Sequence, residues 1–170
     1  MFTTDADFER ADWPLIKDGA VSLFWSPTVL AETQRELALI GYEIAVVTCR
    51  EGQGTFREQF SEVLKWGEQF GYASWGGNLN ALEDAFCSYP FGSSGRSALV
   101  LDGFHALVAE DKTTAEVVLD MIERWSRNHL IQGKILLGLV QTDDNRYEPV
   151  IGSRRPNWNL REWLGLRRGL

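Results

Sequence analysis

The sequence predicts an α/β protein in which a mainly parallel sheet is packed with helices. Three observations predict it. The strand-like segments are continuous apolar runs instead of alternating patterns, as expected of strands buried on both faces. Segments of helical periodicity lie between them. The chain has 170 residues, 44% hydrophobic and 12% aromatic, enough for one domain with a substantial core. There is no internal repeat and no internal domain linker, so residues 1–170 read as a single domain.

Residues 1–19 are polar and read as loop. Ala20–Trp25 (AVSLFW) reads as a buried strand. Ser26-Pro27 has the form of a helix start with proline at the first helical position; Val29, Leu30, Leu37 and Ile40 supply the apolar stripe, and Gly41 suits the end. Tyr42–Thr48 (YEIAVVT) is the second strand. Gly52 and Gly54 form a loop, after which Thr55 and Glu58 have capping-box spacing. Phe56, Phe60, Val63, Leu64 and Phe70 then share one face of a helix that Gly71 ends. A glycine- and serine-rich loop, PFGSSGRS, precedes the third strand, Ala98–Leu101, which runs into Asp102-Gly103. Thr113 and Glu116 repeat the capping-box spacing before a long helix that buries Val117, Val118, Met121, Ile122 and Trp125. Lys134–Gln141 is the fourth strand, and Asn159–Leu164 reads as a short helix in the tail.

Charge is distributed unevenly. Residues 152–170 hold Arg154, Arg155, Arg161, Arg167 and Arg168 against Glu162 alone; subtracting that +4 from the net −7 leaves −11 on residues 1–151. So acidic a body repels nucleic acid and attracts basic partners, and it also serves solubility. No apolar run approaches the ~20 residues of a membrane span. The N-terminal MFTTDADFERADW lacks the basic and apolar regions of a signal peptide, so a cytoplasmic location is expected. Cys49 and Cys87, the two cysteines, are expected to be reduced and buried, and no Cys/His spacing suggests a metal.

Signals for catalysis are weak. CREGQGTF lies between a strand and a helix, where a dinucleotide-binding loop would lie, but Arg57 occupies the third glycine position and no Walker lysine follows. His105, just past a strand end, reads as structural; His129 reads as a structural residue whose partial charge suits a helix C-terminus. There is no G-x-S-x-G and no H-E-x-x-H. Glu83 and Asp84 are adjacent, hence about 100° apart on a helix and poorly placed for shared acid–base work. The expectation is a non-enzymatic protein without cofactors.

The stretch SWGGNLNALEDAF, residues 74–86, carries the strongest binding signal. Asn78 suits an N-cap. Leu79, Leu82 and Phe86 then face inward, which turns Asn80, Glu83 and Asp84 to solvent. Trp75 in its glycine-rich loop reads as an exposed aromatic, and Gly76-Gly77 permits close backbone approach. A short helix presenting carboxylates beside an aromatic suits a cationic cleft such as a ribonuclease active site. The same features also describe an ordinary surface helix.

Ser74-Trp75-Gly76-Gly77-Asn78-Leu79-Asn80-Ala81-Leu82-Glu83-Asp84 resembles the core motif of the barstar family of intracellular ribonuclease inhibitors. The strand ALVLDGF, the helix TTAEVVLDMIERW and the strand KILLGLV agree with the family in order and spacing. The resemblance covers roughly residues 42–143. The unit at 20–41 and the Arg-rich segment 144–170 look like the extensions of longer, actinobacterial-type barstar-like proteins. The resemblance implies a small barstar-like α/β sandwich, with a mainly parallel sheet of three to four strands packed with helices, whose helix and loop plug the active site of a basic ribonuclease or nuclease toxin. Asp84 matches the family's dominant acidic contact, Trp75 a contact aromatic, Gly76 the turn glycine and Asn78 the motif asparagine; Asn80 and Glu83 complete the expected partner surface. The chain also departs from the family. Asn80 replaces a second aspartate, Ser74 an aromatic and Glu83 an aromatic, and Arg124 aligns with an acidic contact that a shift to Glu123 would restore. The alternative is an interaction module of this fold that binds no nuclease, with self-association through the Arg-rich tail.

Overall fold

The computed structural model describes residues 10–170; the expectations for residues 1–9, the start of the N-terminal loop and most of the segment weighed as a signal peptide, lie outside them. The expected strands form as β1 Val21–Phe24, β2 Glu43–Thr48, β3 Arg96–Asp102 and β4 Ile135–Gln141. A fifth, β5 Asn157–Trp158, comes from the tail. The sheet is parallel throughout, in the order β2-β3-β4-β1-β5. It therefore has five strands, and β1 lies between β4 and β5, built into the sheet.

Alternation along the strands divides the core. Val21, Leu23, Val47, Leu99, Leu101, Leu136 and Val140 pack with α3 Gln53–Val63, α4 Trp66–Phe70, α5 Leu79–Cys87, α6 Phe104–Glu110 and α7 Lys112–Ile131. Phe24, Ala98, Val100, Leu137 and Leu139 face the other way, toward α1 Trp13–Ile16 and α2 Pro27–Leu39. In α7, Val118, Met121 and Ile122 are buried as expected, while Val117 and Trp125 are partly buried.

Helix α2 starts as the sequence suggests, with Pro27 at its first position and the Ser26 hydroxyl accepting the Val29 N–H at 3.4 Å. Neither capping box forms. The α3 helix begins at Gln53, whose N–H is received at 2.9 Å by the Glu110 carboxylate, so its first orphan donor needs no threonine. Asp111 caps α7, accepting the Thr114 N–H at 3.0 Å and its hydroxyl at 2.7 Å. The helix expected through Phe70 divides at Lys65, which has φ +50°, and the break turns Trp66 into the core against Phe70, ring centroids 4.4 Å apart.

The tail holds turns and a 3-10 segment, Gly165–Arg168, in place of the expected helix at 159–164. Asn159 N–H donates to Leu23 O at 2.8 Å. The buried Glu162 carboxylate accepts from Ser26 N at 2.7 Å and Trp25 N at 3.2 Å, and burial raises its pKa. Arg168 stacks 4.4 Å over Trp158 and donates to the carbonyls of Glu162, Trp163 and Asn145. Arg154 pairs with Glu123, Arg155 with Glu148, and Arg161 with Glu32 and Glu36. Four of the five arginines of residues 152–170 are thus engaged within the chain. Both cysteines are free; Cys49 is buried and its thiol pushed up to about 12, whereas Cys87 is exposed, contrary to expectation. No described helix is long and apolar enough to cross a membrane.

Candidate partner-binding surface

The outer face of α5 is set by the residues that hold the helix in place. Asn78 is its N-cap, its Oδ1 accepting from Asn80 N at 3.0 Å and Ala81 N at 3.4 Å. Leu82, Ala85 and Phe86 are buried beneath it. Asn80 and Asp84, one turn apart, are exposed side by side. Among the described residues Asp84 has no ion-pair partner. Glu83 is half-buried and paired at 3.0 Å with Arg124 of α7.

Trp75 corrects the sequence expectation. It is 2% exposed and packs between Phe56 and Phe60, centroids 6.3 and 6.1 Å away. Its N–H donates to Ser61 Oγ at 2.8 Å, and its Nε1 donates to Asn78 O at 2.8 Å. The indole locks the loop onto α3 and supports the helix start, so it is not an exposed contact. The Arg57 guanidinium covers it, 5.7 Å from the ring, and donates to Gln53 Oε1 at 2.8 Å. Gly77 has φ +95°, and a Cβ there would meet Arg57 Nη2 at 3.1 Å, so this turn requires glycine. Gly76 is exposed with open space around it, available to a partner's backbone.

Glu123 is no substitute for the missing acidic contact. It is 4% exposed and points to the start of β1, where it accepts from Ala20 N at 2.8 Å and Val21 N at 3.3 Å. The structure therefore brings Asn80, Asp84, Glu83 and Gly76 to one exposed region, keeps Asn78 as a cap and buries Trp75. Arg57 and Arg124 dilute its acidity.

A second polar cluster, which the sequence reading missed, lies where α/β proteins often bind ligands, at the carboxyl ends of the strands. Arg50 donates to Asp102 at 3.0 Å, Gln141 at 2.8 Å and Asp143 at 3.4 Å. Gln141, fully buried, accepts Gly103 N at 2.9 Å and donates to Asp143 at 2.8 Å and Trp25 O at 3.2 Å. His105 turns both ring nitrogens to Asp143, accepting its N–H at 3.2 Å with Nε2 3.4 Å from its carboxylate. The Gln141 hydrogen bond, then His105 and Arg50, hold the Asp143 carboxyl below the usual range. The network closes on itself and ties β2, β3 and β4 together. Its only sequence signal is a polar residue ending each apolar run. At the Gly52 loop, the place a phosphate would take at the N-terminus of α3 is held by Glu110. Among the described residues no group of His, Cys, Asp and Glu is arranged to hold a metal ion.

His129 is structural, as expected, but for a different reason. It is 3% exposed, its Nε2 lies 2.8 Å from Phe86 O, and burial, followed by the Phe86 hydrogen bond in opposition and by Lys134, leaves its pKa lowered. The imidazole is a neutral donor that ties α7 to α5, not a charge at a helix end.

No protein-family description, curated protein or solved structure matches this chain.

Proposed function

We propose that the protein is a non-enzymatic, cytoplasmic inhibitor that docks the α5 face, anchored on Asp84, into the cationic cleft of a basic ribonuclease or nuclease toxin. The observation that carries this reading is Asp84 itself: an exposed carboxylate without an ion-pair partner among the described residues, beside exposed Asn80, on a helix whose entry loop is fixed by buried Trp75. A carboxylate carried on a helix that is already fixed binds a cation without the cost of ordering that backbone. The motif resemblance supplies the partner class, and the net charge of −7 supplies attraction toward a basic partner.

Calorimetric titration against a barnase-type ribonuclease, at low and then physiological salt with RNA cleavage followed in parallel, tests the reading. Binding with loss of cleavage, weakened by about 2–5 kcal/mol in Asp84→Ala, is the expected result. Unchanged binding by Asp84→Ala would show that the surface is wrongly placed. The Glu83–Arg124 pair favours the second reading, an interaction module that binds no nuclease, because it neutralises half of the adjacent acidic pair. Absence of binding even at low salt would select it.

A further inference from the structure

The two edges of the sheet are unequal. β5 closes one edge with two residues. β2 forms the other with six, EIAVVT, paired to β3 in unbroken register from Glu43 to Thr48. Edge strands are commonly guarded by shortness, lysine, proline or a bulge. β2 carries none of these guards, and its Val46 is 52% exposed.

The phase of this edge follows from its hydrogen bonds. In a parallel pair, alternate residues turn both their N–H and C=O groups to the neighbouring strand. Cys49 N donates to Asp102 O of β3 at 2.7 Å, so Val47, Ala45 and Glu43 share that direction. Ile44, Val46 and Thr48 therefore turn their backbone groups outward. The Thr48 N–H is taken by Gln59 Oε1 of α3 at 2.8 Å, and Tyr42 N, in the same phase, donates to Leu37 O at 3.1 Å. Among the described residues, Ile44 N and Val46 N are thus the open donors of the edge, flanked on both sides by donors already spent.

We propose that the β2 edge pairs with the β2 edge of a second copy of this chain, antiparallel about a two-fold axis, joining two five-stranded sheets into one. The occupant is a second copy because the edge is complementary to itself. Ile44 of each copy lies opposite Val46 of the other, and each such pair exchanges two backbone hydrogen bonds. A register shifted by two residues either way would need Thr48 N or Tyr42 N, both engaged. The β-branched side chains of Ile44 and Val46 meet across the strands, and small Ala45 crosses its own copy at the axis. Glu43 faces Val47. The two Glu43 carboxylates then stand four residues apart along the strands, roughly 14 Å, beyond the ~8 Å screening length of physiological salt.

The test uses the full chain. Sedimentation velocity from about 1 to 500 µM reads assembly, since so small an interface belongs to the weak class. Amide hydrogen exchange followed by NMR reads the place. The expected result is a dimer in which the Ile44 and Val46 amides, fast in dilute solution, exchange at least about tenfold more slowly at high concentration. Ala45 and Val47, bonded to β3, should be slow at both. Salt should strengthen the dimer, because each copy carries −7; association of the Arg-rich tail with an acidic body would weaken instead. Val46→Lys puts an ammonium on both edges and should raise the dissociation constant at least about tenfold. Val46→Thr keeps the β-branch and should leave it within about threefold. Leu166→Lys, which removes an 84% exposed apolar side chain from the tail, should leave it unchanged. Exchange in the unsubstituted chain decides on its own if Val46→Lys does not fold. A chain that is monomeric at every concentration, or a dimer whose Ile44 and Val46 amides stay fast, would overturn the proposal. So would a dimer abolished by Leu166→Lys and spared by Val46→Lys.

Discussion

Replacing Trp75 by alanine separates a buried loop lock from an exposed contact aromatic. The side chain is 2% exposed and rests on Phe56 and Phe60. Truncating a buried aromatic of this kind costs about 3–5 kcal/mol in transfer and cavity terms. The Nε1 hydrogen bond to Asn78 O adds about 1 kcal/mol, but not the full cost of an orphaned carbonyl, because Asn78 O also accepts Leu82 N. Trp75→Phe keeps most of the burial and loses that hydrogen bond, so about 1–2 kcal/mol is expected for it. The assay is urea unfolding followed by far-UV circular dichroism, which the loss of one indole does not disturb. For a chain of this length the alanine variant should melt about 6–20 °C lower. A change below about 1 kcal/mol at constant m-value would refute the buried placement. Trp75→Phe should also leave partner affinity unchanged; a large affinity loss at preserved stability would return the indole to the contact surface.

Glu123→Gln should cost about 3–5 kcal/mol in equilibrium unfolding, because it breaks a buried, four-donor carboxylate site, whereas exposed Asp84→Ala should change stability by less than about 0.5 kcal/mol. The lowered pKa of His129 fixes a sign. Below the unfolded value of about 6.5 the unfolded chain takes the proton first, so stability is full above that pH and declines as pH falls toward the folded pKa. His129→Gln should flatten that part of the stability–pH curve, measured by urea titration, and an unchanged slope would contradict the neutral assignment. Asn80→Asp should tighten binding to a basic partner at nearly constant stability, since favourable helix-dipole placement of about 0.3–1 kcal/mol offsets repulsion from Asp84; calorimetry checks the first and melting the second. A double-mutant cycle on Glu83 and Arg124, both partly solvated, should give a coupling below about 1 kcal/mol.

The parallel sheet was legible because its inner strands are buried, and such strands write themselves as apolar runs, AVSLFW, ALVL and ILLGLV; EIAVVT is equally apolar although β2 lies at the sheet edge with Val46 exposed. β5 was not legible, because two residues carry no periodicity and are held by the docking of the tail onto β1. The helix caps failed for a tertiary reason. Glu110 and Asp111, remote or adjacent in sequence, reach the orphan N–H groups first, and a threonine at the right spacing has nothing left to satisfy. At the candidate site, Asn78, Asn80 and Asp84 followed from local rules of capping and helical phase. Trp75 did not, because glycine neighbours report backbone freedom and say nothing about the direction of an indole. The Arg50–Gln141–Asp143 cluster was invisible for a similar reason: its members end different strands and meet only across the sheet.

The charge separation along the sequence is partly offset by ion pairs in three dimensions, and this changes what an acidic surface can do here. The tail's arginines neutralise Glu123, Glu148, Glu32 and Glu36, and Arg124 neutralises Glu83. The net −7 persists at long range, so encounter with a basic partner is still steered and remains sensitive to salt. At contact, however, α5 offers the single unpaired carboxylate of Asp84. Association and dissociation should therefore divide. Raising salt from low to physiological should slow association while leaving dissociation nearly constant, and Asp84→Ala should speed dissociation while leaving association nearly constant. Stopped-flow measurement of both rates decides this. If salt and Asp84→Ala act on the same rate, recognition depends on the diffuse field of the whole body, and the α5 face has no privileged role.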